Sequence, residues 1–480
     1  MDHLAAVHAR TELQAPRRTA PAWLVLLVVC GGQFLVVLDI SVVNVAMPSM
    51  RADLGLTEAG LQWVVNAYTL AFAGLLLLGG RVADSFGRER TFLIGLGLFT
   101  ATSLAGGLSH EPWMLITARA VQGVGGAVLA PTTLSILTTT FPEAAERARA
   151  VATWAAVGAA GGAAGGLFGG VLTDYLSWRW VLLINVPIGV LLVLGATLCL
   201  TLRRGVQARR LDLSGAVLAT TGMAAVSYGI AQSGPQGWTS RYTLLPLVVG
   251  LVALGLFVLV ESRSAEPLMP LWLLRIRSVS TANVVLFGAG AGTMAVWYFL
   301  SLYLQNVLHY SPVRTGLSLL PHTVSVMAGS KLAPRLMGRM DARLVGAIGG
   351  LLTACGLAWQ STVVSADGTF LDSILGPGVL TLFGAGLLGT PITMAATTGA
   401  PSENQGVVSG LLNTSSQLGG ALGLTVLATA SADRIATEAG AAGRTEQALA
   451  AGYSHAFLVA AAFLLVTTAL IARLPKPALY

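Results

Sequence analysis

Residues 23–47 read WLVLLVVCGGQFLVVLDISVVNVAM, an apolar run whose only charged side chain is Asp39. A run of that length and composition suits the hydrocarbon core of a bilayer, which a helix crosses in about 20 residues. A carboxylate inside it costs about 2.5–3.5 kcal/mol on insertion scales, so it is retained where it pairs or lines a polar cavity. Asp39 is therefore the first candidate for a functional residue.

The same kind of run recurs to the end of the chain, near 22–47, 59–79, 91–109, 112–138, 150–173, 179–202, 211–232, 242–261, 280–307, 313–333, 344–364, 370–396, 405–430 and 453–472. Short polar or Gly/Pro breaks separate the runs. Fourteen transmembrane helices follow, an all-α integral membrane fold with no connection long enough for a soluble catalytic domain. With 54% hydrophobic residues, 10% charged residues and a mean hydropathy of +0.74, the composition excludes an ordinary soluble protein. The net charge of +7 comes from short basic clusters between apolar runs, the pattern of membrane topology and not of nucleic-acid binding. Cys30, Cys199 and Cys355 lie within apolar runs and imply neither a disulfide framework nor a metal site. Arg17 and Arg18 precede the first run, which is too long for a signal peptide and reads as an uncleaved first helix.

Placing the N-terminus in the cytoplasm puts 21 of the 28 Lys and Arg residues in cytoplasmic segments, with six in outer loops and Arg119 within a span. Both termini then face the cytoplasm across the plasma membrane. An internal repeat supports a two-part chain: GGRVADSFGRER after the second run is answered by GSKLAPRLMGRMDAR after the tenth, Gly87-Arg88 matching Gly338-Arg339. The expected organisation is a cytoplasmic tail (1–21), a six-helix bundle (22–202), a linker with two extra helices (203–278), a second six-helix bundle (279–472) and a cytoplasmic tail (473–480). Two such halves around a central cavity make a transporter architecture.

Several segments in order resemble the major facilitator superfamily, and within it the fourteen-helix drug:proton antiporters. LDISVVNVAMP, with Asp39, Asn44 and Pro48, is similar to the first-helix motif, and GRVADSFGRER, with Gly80, Asp84, Gly87 and Arg88, resembles the loop signature. RAVQGVGGA, with Arg119, Gln122 and Gly123, looks like the fourth-helix motif, and GGAAGGLFGGVL looks like the fifth-helix antiporter motif. SWRWVLLINVPIG and SGLLNTSSQLGGALG look typical of the subfamily. The chain departs from the pattern at Ser85 and Glu89, where basic residues are common, and at Gly166, where the family has proline. The resemblance implies alternating-access export of drugs, antibiotics or other toxic amphiphilic small molecules in exchange for protons. It implies no cofactor beyond the proton, no enzymatic activity and work as a monomer. A proton-coupled importer or uniporter of the same fold is the alternative.

Physical reading of the same residues agrees. Arg119, Gln122, Gly123 and Gly126 share one face of the fourth helix, and Asp39 and Arg119 both fall in the outer halves of their helices, at compatible depths. Arg119 is a fixed positive charge, whereas Asp39 can lose and regain a proton. The pair is the candidate for proton coupling. Gly158, Gly162, Gly166 and Gly170 recur every four residues beside Gly161, Gly165 and Gly169, giving a face along which another helix can approach closely and slide. Gly80, Asp84, Gly87, Arg88 and Arg90 form a short charged loop that suits a gate latch. Candidates for the substrate cavity are Gln33, Asn44, Asn66, Tyr68, Gln122, Trp154, Trp297, Tyr298, Gln305, His322, Asn413 and Gln417, while Trp63, Trp113, Trp178 and Trp180 read as membrane-interface anchors. A phosphate loop is excluded because the only lysines are Lys331 and Lys476. An intramembrane enzyme would have to rest on Ser318 and His322, spaced i, i+4, with no third group. The excess of Arg over Lys, with abundant Ala and Gly, points to a bacterial genome rich in G and C.

Overall fold

The computed structural model describes residues 21–473 apart from 142, 201–211, 265–266, 399, 402–404 and 440–444. The tails and most of the stretch expected to lead out of the first bundle lie outside the described residues. Fourteen long helices are described: α1 (Ala22–Leu54), α2 (Glu58–Phe86), α3 (Arg88–Gly107), α4 (Pro112–Thr140), α5 (Ala144–Tyr175), α6 (Trp180–Leu183 and Asn185–Cys199, interrupted at Ile184), α7 (Leu213–Gln236), α8 (Arg241–Arg263), α9 (Arg277–Asn306), α10 (Pro312–Met337), α11 (Ala342–Val363), α12 (Gly376–Thr398), α13 (Gln405–Ala439) and α14 (Glu446–Ala469). A π-helical segment, Phe370–Leu375, precedes α12. Many helices overrun the sequence-predicted spans by several residues, because hydropathy marks the hydrocarbon-facing part while the backbone stays helical beyond it.

Eleven of the helices are long and apolar enough to cross a membrane. The other three are more polar for identifiable reasons: α3 opens on Arg88, Glu89 and Arg90, α10 carries Arg314, Lys331 and Arg335, and α13 is rich in Ser and Thr.

Turn chemistry sets where the helices stop. α1 ends on Gly55 in the left-handed region (φ 61°), its N–H returning to the Arg51 carbonyl. Thr57 then caps α2 by accepting the Gly60 N–H at 3.0 Å. A single residue, Gly87, at φ 96°, reverses the chain between α2 and α3, which accounts for the glycine of the loop motif.

Helices α1–α6 pack on one another, as do α9–α14. The two sets share one hydrophobic cluster at the end that holds the α1–α2 turn, where Val42, Met47 and Leu61 pack with Leu300, Tyr303 and Phe457. Toward the opposite end the cores separate, one built from Val28, Leu35, Phe92 and Leu192 and another from Leu273, Val285, Ile392 and Ile471. The halves are thus closed on each other at the α1–α2 end.

Glycine makes that closure possible. Gly161, Gly165 and Gly169 present one face of α5 to α1; a Cβ at Gly161 would stand 2.9 Å from the Phe34 carbonyl oxygen and one at Gly169 2.8 Å from that of Val42. The adjoining face, Gly166 and Gly170, meets α10 of the other half, where a Cβ on Gly316 would fall on the Gly166 carbonyl. Gly166, in the place of the family's proline, is thus a backbone contact between the halves. Asp174 adds a polar tie by accepting the Val313 N–H at 3.1 Å, at the start of α10.

Of the two extra helices, α7 lies along the seam, packing on α2 and α13. Trp63 meets Tyr228 there and Gly74 receives Thr220, so Trp63 is a packing residue. Helix α8 packs on α7 and leaves Leu245, Val248, Val249 and Leu251 exposed, a surface suited to lipid. Trp178 also departs from the expected anchor role: it is buried and donates to Asp53 at 2.9 Å, whereas Trp113 and Trp180 are exposed.

The seam yields a prediction. Gly316→Val should lower thermal stability by about 1–3 kcal/mol, the usual cost of overpacking, whereas Gly97→Ala, which meets open space, should leave it unchanged. Thermal unfolding of both variants in detergent checks this.

Candidate functional site

Asp39 stands in the middle of five helices. Arg119 Nη1 donates to its Oδ2 at 2.6 Å, and its Oδ1 accepts from Gln122 Nε2 and from Asn185 Nδ2, both at 2.8 Å. Asp39 and Arg119 are 0% and 2% exposed, so the pair is sealed from water in this conformation. Arg119 also donates to Gln122 Oε1 at 2.7 Å and through Nε to the Val64 carbonyl at 3.2 Å, and its guanidinium lies 4.3 Å from the centre of the Tyr68 ring. Ser103 Oγ accepts from Gln122 at 2.6 Å and from Asn185 at 3.3 Å. Residues of α1, α2, α3, α4 and α6 therefore hold one another through a single charge pair.

Local structure explains how these groups converge. The spacing of Arg119, Gln122, Gly123 and Gly126 places them on one face of α4, and the two glycines let α2 approach: a Cβ at Gly126 would stand 2.9 Å from the Tyr68 hydroxyl oxygen. Tyr68 is positioned in turn by stacking on Phe72, centroid to centroid 5.8 Å. Asn185 starts the long part of α6 just after the break at Ile184, followed by Pro187. Both carboxylate oxygens are matched by donors, a guanidinium on one and two amides on the other.

Asn185 and Ser103 join the site only in the folded structure. The signal for Asn185 was available, a lone amide beside proline in the run INVPIG, whereas Ser103 in an Ala/Gly-rich helix carries none.

The loop residues are placed as follows. Gly80 has room, its nearest neighbour being Pro131, and the tight backbone contact falls one residue earlier, where Gly79 meets the Ala127 carbonyl. Arg88 reaches the Ser135 carbonyl at 3.5 Å, joining the loop to α4, while Arg90 is exposed. Asp84 lies in the last turns of α2.

The cavity candidates do not gather in one place. Gln33 lies against Gly158 of α5, and Trp154 donates to Thr133 at 3.0 Å. Asn66 donates across the seam to Thr425 at 2.8 Å, and Gln305 to the Val45 carbonyl at 3.0 Å, so both tie the halves together. Asn44 bonds back to Ile40 at 3.2 Å within α1, its carbonyl accepting from Ser301 at 2.7 Å. Tyr298 lines a small cleft at the α1–α2 end with Glu58, Gln62 and Tyr453, and Trp297 packs beside the shared core. His322 is fully buried against α12, 3.2 Å from the Ile374 carbonyl, and the Ser318 hydroxyl donates to the Arg314 carbonyl at 2.7 Å instead of to the imidazole. On α13, Asn413 is exposed and Gln417 half-buried. Among the described residues no group of three or more His, Cys, Asp or Glu residues could hold a metal.

Comparison with known proteins is consistent with this architecture. The model of the Major Facilitator Superfamily matches residues 29–424. The cephamycin export protein of Amycolatopsis lactamdurans is 45% identical over 476 residues, covering 98% of this chain and 96% of its own. The puromycin resistance protein of Streptomyces alboniger is 40% identical over 464 residues, covering 95% and 91%. Among solved structures, a proton dependent oligopeptide transporter superposes with a TM-score of 0.67 at 14% identity, over 95% of this chain and 100% of that one, a likeness of fold.

The charge pair makes a quantitative prediction. Arg119→Leu alone should destabilise the protein by about 3–5 kcal/mol, because it leaves Asp39 buried and unpaired. Adding Asp39→Leu should return much of that loss, so a double-mutant cycle on thermal stability should give a coupling well above the experimental scatter.

Proposed function

This chain belongs to the Major Facilitator Superfamily, and from that premise we propose that it is a drug:proton antiporter that exports amphiphilic antibiotics from the cytoplasm by alternating access. As a multi-pass membrane transporter of that family it is not an enzyme. The two relatives named above are an export and a resistance protein, and their near full-length similarity supports export as the direction. The observation that carries the proton coupling is the buried Asp39, matched by Arg119, Gln122 and Asn185.

In this reading the excess of Arg in alternate loops sets both termini in the cytoplasm, and the α1–α2 end faces outward. The conformation described is then closed to the outside. Asp39, paired with Arg119, is unprotonated. Opening of the outer end separates α5 from α10 along the glycine seam and admits water to the pair. A proton from outside neutralises Asp39 and releases Arg119 from its partner. Return to the closed outer state re-forms the pair and sends the proton to the cytoplasm, while substrate binds from the cytoplasmic side in exchange. Arg119 contributes a fixed positive charge that pairs with Asp39 when the outer end is shut. The glycine seam supplies the sliding surface. The loop from Gly80 to Arg90 would latch α2 to α3 and α4 on the cytoplasmic side. The substrate would be a small amphiphile, with Gln33, Trp154, Trp297, Gln305, Asn413 and Gln417 the candidates that are not fully buried in this conformation. The chain would work as a monomer.

Transport in proteoliposomes checks the proposal. An imposed proton gradient should drive uphill movement of cephamycin or puromycin by the intact chain, and Asp39→Asn should reduce it to the level of protein-free vesicles while leaving gradient-independent exchange. Gradient-driven transport that survives the substitution would contradict the assignment.

A further inference from the structure

The α7–α8 hairpin carries an ionisable cluster that plays no part in the cycle above. Asp212 caps α7, its Oδ1 accepting from the Gly215 N–H and from Ser214 Oγ, both at 2.8 Å. Glu261, in the last turn of α8, accepts the Met269 N–H through Oε2 at 3.1 Å. Both side chains are more than nine-tenths buried, at 8% and 3% exposure. Each has one carboxylate oxygen without a hydrogen-bond partner, Asp212 Oδ2 and Glu261 Oε1. Those two oxygens flank one point: a Cβ on Gly215 would stand 2.9 Å from the first and 2.8 Å from the second, which places them no more than 5.7 Å apart.

Among the described residues the cation facing this pair is Arg81 of α2, which donates to the Pro267 carbonyl. Among the described residues one positive charge therefore faces two buried carboxylates, and like charges this close oppose double ionisation. Two unpartnered buried oxygens add a desolvation cost. A single proton removes both problems, since one carboxylic acid donating to the other carboxylate forms a short O–H···O⁻ bond and satisfies both oxygens. A hard cation such as calcium would need six to eight oxygens, and no group of three or more carboxylate, His or Cys ligands exists among the described residues.

We infer that Asp212 and Glu261 share one proton, held between Asp212 Oδ2 and Glu261 Oε1, so that the α7–α8 hairpin contains a second proton-binding site separate from Asp39. The site is joined to the moving parts. Glu261 holds the Met269 N–H and Arg81 the Pro267 carbonyl, so the connection leading into the second half is gripped by both α8 and α2. Leu78, Ala216 and Leu268 close the apolar side of the same contact. Loss of the shared proton leaves two negative charges that draw Arg81 away from Pro267, loosening α2 from the start of the second half. The hairpin thereby reports proton activity on its side of the membrane to the helix that carries the Gly80–Arg90 loop.

Infrared difference spectroscopy of the purified chain in detergent, in water and in D₂O at neutral pH, tests this. The intact protein should show a carboxylic-acid carbonyl band that shifts on deuteration. The band should persist in Asp39→Asn, which separates this site from the transport carboxylate, and should be lost in Glu261→Gln and in Asp212→Asn. Asn still caps a helix, so Asp212→Asn is expected to fold. If an amide variant does not fold, labelling the glutamate or aspartate carboxyls of the unmutated chain with ¹³C should shift the band. No band in the intact protein, or a band untouched by both substitutions or by both labels, would overturn the inference. Absence of the band together with thermal stability that rises specifically with sodium would assign the site to a cation instead.

Discussion

A carboxylate in a membrane helix has to be matched, and the way Asp39 is matched organises the first half of this protein. The low-dielectric interior makes an isolated charge costly and a paired one strongly held. Asp39 is reached by one guanidinium and two amides, drawn from α4 and α6, while Arg119 is steadied by the α2 backbone and the Tyr68 ring. Five helices thus share one interaction. With the pair intact both Asp39 oxygens have donors, and in the proposed cycle protonation of Asp39 breaks the pair and leaves Arg119 to water or another acceptor. That is the property a coupling device needs.

A second constraint is geometric. The halves can close at one end only because α5 offers backbone on two adjoining faces, one toward α1 and one toward α10. The helix that touches the helix of Asp39 is also the helix that touches the opposite half. The seam therefore reaches the charge pair through α5 and also through α1 itself, whose Asn44 and Val45 carbonyls accept from Ser301 and Gln305 of α9. The hairpin α7–α8 braces the other seam, between α2 and α13, and brings its own pair of carboxylates to the base of α2.

The fold was legible in the sequence because hydrocarbon imposes so few options on it. Runs of apolar residues, loop arginines and the repeated Gly-Arg turn were enough to place fourteen helices, and the Gly55 and Gly87 turns lie where the runs break. The candidate site was legible in part. Asp39 and Arg119 stood out because charge in an apolar run is conspicuous, and Gln122 followed from helical spacing. Asn185 and Ser103 did not, since their contribution depends on how α3 and α6 rotate against α1, which periodicity does not encode. Substrate-cavity residues were the least legible class. Asn66 and Gln305 look alike in sequence to residues that face a cavity, yet they bond across the seam. Trp178 looked like an interface anchor and is buried by its hydrogen bond to Asp53. In each case the residue type was read correctly as polar and membrane-embedded, and its partner was set by tertiary packing.

In the proposed cycle Asp39 carries the proton exchanged for substrate. Proton release on adding antibiotic to the purified protein in weakly buffered detergent tests it most directly, comparing the intact chain with Asp39→Asn and following substrate binding in the same samples. The intact protein should release protons and the substituted one none, with binding retained in both. Equal release from both proteins, or binding without release from either, would contradict it and leave the Asp39–Arg119 pair a purely structural bond.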